Sequence, residues 1–247
     1  MRNLRFVLFA TGIGLMAAPA LADQPETGTR LNAPASRGVN GVAMTSRDQA
    51  VGAKRIAECI YNRKGVLSRQ ALLAPNAQSA SAAMSKLRGE VRCFGDDMSN
   101  DLVGLRIVQI PNDIMRGMLA EAALGRSNDD AAALQPLPLQ QIYQRDWYAI
   151  TGRHITVDEM GACIADTNPA GVLALIRTVP ISKEESAAFS GLGGNLGTCL
   201  RAGTKLQASR QALRAALADA LYQRLNAPAP PPAPTAAAAT AVEAAKN

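Results

Sequence analysis

The chain has 247 residues, four cysteines and one histidine, with 26 Lys and Arg against 20 Asp and Glu for a formal net charge of +6. A lone histidine excludes a multi-histidine metal centre, and any nucleophile–His pair would have to recruit it. An even set of cysteines in an exported chain implies disulfides rather than free thiols.

Residues 1–22 read as a secretory signal peptide: Arg2 and Arg5 supply the charge, residues 6–18 the apolar region, and Ala20, Leu21 and Ala22 the cleavage motif before Asp23. The apolar run is too short and Gly-rich for a good membrane span, and no later segment resembles one. With Asp rather than Cys at position 23, no lipid anchor is expected, and the mature chain should be soluble in the periplasm or medium. Loss of Arg2 and Arg5 leaves 24 basic and 20 acidic residues, a net charge of +4. Residues 23–45 mix Pro, Gly, Ser, Asn and Thr without apolar periodicity and read as a flexible leader.

Order is expected from Ser46, which with Gln49 makes a capping box ahead of Ala50, Ala53, Ala57 and Ile60 at helical spacing. A second helix is expected over 66–74, ended by Pro75, and a third over 79–92 leading into Cys93. The polar run 95–100 is a loop, 105–110 is apolar, and Pro111-Asn112 opens a helix that contains Arg116 and ends near Gly125. Residues 46–126 thus form a first helical module. Within 47–95 nine basic residues face three acidic ones, a solvated basic face or a surface for anionic envelope material.

Residues 127–155 form a connector, extended around 134–138. Its aromatics Tyr143, Trp147 and Tyr148 either pack across a join or form a ligand-stacking platform. The second module, 156–226, opens with a Thr156–Glu159 capping box before Cys163. Asn168-Pro169 starts the next helix, and Ser182 and Glu185 cap another. Gly191, Gly193, Gly194 and Gly197 fail as a phosphate cradle because the third required glycine falls at Leu196 and a capped helix, not a strand, precedes them. They read as a helix break before Cys199. The last helix presents Leu213, Leu217, Leu221 and Leu225 at four-residue spacing, a buried stripe. Residues 227–247 are a Pro- and Ala-rich tail, extended and unpacked, suited to a spacer or to a proline-binding partner.

Arg116-Gly-Met-Leu-Ala-Glu121-Ala returns as Arg214-Ala-Ala-Leu-Ala-Asp219-Ala, and each copy follows a pair of cysteines. The pattern predicts a tandem duplication, with length differences where loops should lie. Four cysteines allow three pairings, and the duplication favours Cys59–Cys93 with Cys163–Cys199. On the chain-entropy model each would add roughly 3 to 4 kcal/mol. No CxxC unit or neighbouring histidine supports zinc, and no metal or cofactor is expected. Each acidic companion stands five residues after its Arg, about 140° round a helix, so the two do not form a simple pair within one helix. Arg116 and Arg214 therefore cap carbonyls of the preceding loop or pair across a module, or else bind an anion.

The adjacent carboxylates Asp96-Asp97, Asp129-Asp130 and Glu184-Glu185 point apart and match no calcium loop. His154, near Asp146 and Asp158, is the only base for a hydrolytic site, and no strained turn presents a nucleophile to it. The units A-E-C-I at 57–60 and G-A-C-I at 161–164, with the R-x-x-L-A-acidic-A helix, resemble a group of uncharacterised exported alphaproteobacterial proteins over roughly residues 50–225. The resemblance implies a periplasmic all-helical duplicated module and carries over no functional residue.

The expectation is an all-α protein of two similar four-helix modules, each with an internal disulfide, between disordered ends. Its expected role is non-enzymatic binding of an envelope protein or an anionic envelope component, not nucleic acid. Arg116, Arg214, Trp147, Tyr148 and His154 are the candidate contacts. The rival is a small hydrolase built on His154 near the aromatic connector, which requires His154, Trp147 and Asp158 to converge in one pocket.

Overall fold

The computed structural model describes residues 45–93, 110–201, 203, 204, 206 and 208–226. The expected signal peptide, most of the leader, the tail, the Asp96-Asp97 pair and nearly all of the apolar stretch 105–110 lie outside the described residues. Within them the protein is all-α, with no strand. Helix α1 spans Ser46–Leu72, α2 Ala77–Arg88, α3 Asn112–Arg126, α4 Asn128–Ala132, α5 Ile155–Thr167, α6 Pro169–Ile176, α7 Lys183–Gly191, α8 Gly193–Cys199 and α9 Arg210–Asn226.

Local chemistry explains most of the boundaries. Thr45 caps α1, accepting from the Asp48 amide while the Asp48 carboxylate accepts from the Thr45 amide, so the capping box sits one residue before the expected Ser46–Gln49 pair. The two helices expected over 46–74 form one bent rod, with non-helical backbone at Lys64 (φ −131°, ψ 39°). Asn76 and Ser182 cap α2 and α7, and Asn168 caps α6, where Pro169 stands in the first turn. The Thr156–Glu159 box does not form. His154 occupies the cap position, its Nδ1 accepting from the Thr156 amide at 3.3 Å, while Glu159 pairs with Arg201. The glycine run turns the chain between α7 and α8 at Leu192, so the second half carries five helices rather than four.

Helices α3 and α9 form the central pair, with α1 packed on α3 and α5 on α9. Helix α2 lies on α1, while α6 and α8 flank α9 and α5. One apolar core runs through both halves, from Ile56, Ile60 and Leu72 through Ile114, Met115 and Leu119 to Met160, Ile164, Leu217 and Leu221. Every residue of α9 from Ala212 to Gln223 is buried. A helix buried on all sides needs an apolar surface all round, which explains why Leu and Ala replace the usual polar face. Leu213, Leu217 and Leu221 of the stripe are buried and Leu225 is partly so.

The disulfides are Cys59–Cys93 and Cys163–Cys199, with Cα atoms 5.7 Å apart in each. Each closes a loop within its own half, the pairing favoured by the near-equal spacings. No described helix is long and apolar enough to cross a membrane.

Candidate functional site

The candidate residues fall into three places, beginning with the central helix pair. There the guanidinium of Arg116, 2% exposed, donates to Asp219 Oδ2 at 2.7 Å and to the Ala71 and Leu72 carbonyls that end α1. Arg214, 3% exposed, donates to both carboxylate oxygens of Glu121 at 2.9 and 2.7 Å and to the Leu175 and Ile176 carbonyls that end α6. Each arginine thus satisfies orphan carbonyls at a helix C-terminus and pairs with the acid of the other stretch. Gly117 and Ala215, the residues after each arginine, mark the closest approach of α3 and α9. A Cβ on Gly117 would stand 2.3 Å from the Ala215 carbonyl oxygen.

Two further cations complete these clusters. Arg153 bonds Asp158 at 2.8 Å and also Asp219, with its side chain 1% exposed, and Thr151 donates to Asp158 at 2.6 Å. Lys54 reaches Glu121, and Arg214 also bonds Glu185 at 2.9 Å. The Asp219 cluster holds two cations and two carboxylates, and the Glu121 cluster two cations with buried Glu121 and Glu185 and the more exposed Glu58, 3.9 Å from Lys54. Burial pushes the Asp219 carboxyl up, but Arg116 and Arg153 together outweigh it and hold the pKa below the ordinary range. At Asp158 burial wins over Arg153 and the pKa is raised. Clusters in which every cation is matched by carboxylates leave the two repeated arginines no vacancy for an anionic ligand. They fix how α3 meets α9.

The second place is the aromatic connector. Residues Asp146–Ile150 form a 3₁₀ turn that touches α2 of the first half. Tyr143 is buried against Ala162 and Cys163, with Tyr148 packed beside them. The Tyr148 hydroxyl is buried without a partner among the described residues, and burial pushes its pKa up. Trp147 meets the Tyr148 ring edge-on at 4.6 Å and stays half-buried, facing a groove of about 900 Å³. Leu134, Leu137 and Ile150 of the connector form one wall, and Leu73, Ala220 and Leu225 contribute the others. Four charged residues stand at its rim, Arg145, Arg224, Asp166 and the exposed Asp146. Arg145 bonds Asp166 at 3.0 Å, and Arg224 lies 3.6 Å from the same carboxylate while donating to the Ala165 and Asp166 carbonyls near the end of α5. The Trp147 indole N–H has no partner among the described residues.

His154 is the third place, exposed at the start of α5 with its Nδ1 used by the cap. Asp158 is sealed in the Arg153 cluster and Trp147 lines the groove, so the convergence required by the hydrolase alternative is not present. Among the described residues no three metal-ligating side chains come together. Glu184 is exposed at the start of α7 while its neighbour Glu185 is buried against Arg214, as side chains adjacent on a helix must diverge. Much of the basic surplus of 47–95 stays on the surface, Arg55, Arg69, Lys86 and Arg92 among it, whereas Lys54 turns inward.

Sequence reasoning missed Arg153, Lys54 and Glu185 as cluster members, and missed the groove itself. The one local signal was the opposite charges of Arg153 and Asp158, five residues apart across a helix start. No protein-family model, curated protein or solved structure matches the chain.

Proposed function

We propose that the chain is an exported, non-enzymatic binding protein of the cell envelope that takes an extended, uncharged polypeptide segment in the groove beside Trp147. The observation that carries this reading is the groove's composition: a half-buried indole whose N–H has no partner among the described residues, aliphatic walls, and two rim arginines that share Asp166. Its volume suits a compact ligand or a short stretch of chain. An extended segment with unpaired carbonyls gives the indole N–H an acceptor, and prolines or small aliphatic residues fill the apolar walls. An anionic ligand is the weaker fit, because Arg116 and Arg214 are spent in buried pairs and Arg145 and Arg224 face Asp166. Acid–base catalysis is the weaker fit too, since the buried carboxylates are locked to arginines.

Export rests on the expected signal peptide and agrees with two disulfides. The tandem duplication belongs to the same proposal, supported by the matched roles of Arg116 and Arg214. So does kinship with exported alphaproteobacterial proteins drawn from the A-E-C-I and G-A-C-I units.

Trp147 is the only tryptophan, so its emission reports the site without ambiguity. Titrating the purified chain with a synthetic proline- and alanine-rich peptide should shift that emission saturably, and Leu137→Asp should abolish the shift. A shift produced by anionic vesicles and not by the peptide would overturn the reading.

A further inference from the structure

We propose that the pocket beside the Cys163–Cys199 disulfide is a second site, which takes an alkylammonium group, the end of a lysine side chain or of a free aliphatic amine, on the carboxylate of Glu159. It shares no lining residue with the Trp147 groove, so it stands or falls separately from the polypeptide site.

Glu159 lies in the second turn of α5 and is 8% exposed. Its Oε1 accepts from Arg201 at 2.5 Å, while its Oε2 is buried and has no donor among the described residues. No other carboxylate among them has a fully buried oxygen left without a partner. Such an orphan is costly, and its charge makes it more so. Arg201 offsets little of that cost, because its side chain is 68% exposed and the pair has the weak character of a surface salt bridge. The carboxylate therefore calls for further donors and for positive charge.

The pocket has room for a group that brings both. At about 190 Å³ it falls below the roughly 300 Å³ at which sites for whole small molecules begin, so it suits one side-chain-sized group. Glu159 and Cys163 of α5 form one wall and Thr198 and Cys199 of α8 another, and the disulfide holds the two together with its Cα atoms 5.7 Å apart. The connector adds Leu139 and Ile142, both exposed aliphatic side chains suited to a methylene stem. An ammonium has three donors, and the Thr198 hydroxyl and the amide oxygens of Gln140 and Gln141 also line the pocket as acceptors. A calcium ion fits poorly, because Glu159 is the only carboxylate in the lining.

The test follows the Glu159 carboxyl carbon by NMR in the full chain carrying ¹³C-labelled glutamate, with ¹⁵N amides read alongside. Addition of n-butylammonium chloride should shift it saturably, together with the amides of Cys163 and Thr198, whereas KCl at equal ionic strength and uncharged n-butanol should not. Glu159→Gln, which keeps the side chain's shape, should weaken binding at least about tenfold on the amide shifts. Arg201→Gln removes a competing cation from an exposed position and should tighten binding about fivefold, a gain that a merely structural ion pair does not predict. This second variant keeps the test decisive if Glu159→Gln fails to fold. Equal shifts with KCl or n-butanol, or unchanged affinity in Glu159→Gln, would overturn the ammonium site. So would the absence of any shift with n-butylammonium, which would leave the orphan oxygen to a bound water. Nα-acetyl-lysine methylamide distinguishes the sources: tenfold tighter binding than n-butylammonium assigns the site to a polypeptide lysine, and equal or weaker binding to a free amine, both upholding the site.

Discussion

Replacing Arg116 with Met removes three charge-assisted hydrogen bonds at once, to Asp219 and to the Ala71 and Leu72 carbonyls, all in the buried centre of the fold. Asp219 is fully buried and would keep only Arg153 and the weaker contact from Gln223. Breaking one partner out of such a pair costs about 3–5 kcal/mol, because the surviving charge stays desolvated. Arg116→Met should therefore lower the unfolding free energy by about 4 kcal/mol, read from urea melts at neutral pH with the slope checked for two-state behaviour. The double-mutant cycle carries more information than the single change. Arg116→Met with Asp219→Leu should cost less than the two changes summed, by about 2 kcal/mol, since the second substitution removes the charge stranded by the first. Arg116→Met with Glu121→Leu should be additive to within about 0.5 kcal/mol, because the partners of Glu121 are Arg214 and Lys54. Stronger coupling of Arg116 to Glu121 than to Asp219 would refute the exchange of partners between the two stretches.

Gly117→Val should destabilise by several kcal/mol, because its Cβ would overlap Ala215 backbone, and the loss should appear in the same urea melts. Cys59→Ala with Cys93→Ala, or Cys163→Ala with Cys199→Ala, should each cost about 4 kcal/mol for loops of 34 and 36 residues, and a loss below about 1 kcal/mol for both would contradict the entropic argument. Asp219 has a folded-state pKa below its unfolded value, so its contribution is complete above about pH 4 and is lost as pH falls through the folded value. Asp219→Asn should accordingly flatten the acid limb of stability measured below about pH 4 while lowering stability at neutral pH.

Features written locally were readable in advance. Helix periodicity, the proline boundaries at 75, 111 and 169, and the leucine stripe of α9 depend on residues within one or two turns of each other. The disulfide pairing was accessible for a different reason: two cysteine spacings that nearly match suggest two closed loops of the same kind. Caps were harder, because Thr45 and Ser46 both offer an oxygen at the start of α1, and the Asp48 carboxylate closes the box on the first. At α5 a histidine took the role that Thr156 seemed to claim. The 140° offset of each acid pointed Arg116 and Arg214 to loop carbonyls or to a partner across a module, and in the fold each both caps a helix end and pairs with the other half. Their partners were not visible, since Arg116 and Asp219 lie 103 positions apart. The groove was invisible for the same reason. Its walls come from the end of α1, the connector and the end of α9, and only folding brings them together.

The central claim is that the Trp147 groove is where this protein binds, and amide and indole NMR spectra of the isotopically labelled chain test it most directly. On addition of an uncharged proline- and alanine-rich peptide, the account predicts saturable shifts confined to the Trp147 indole, Leu134, Leu137, Leu73 and Leu225. Shifts centred instead on His154 or on the basic surface around Arg55 and Arg69, with the indole signal unmoved, would contradict it.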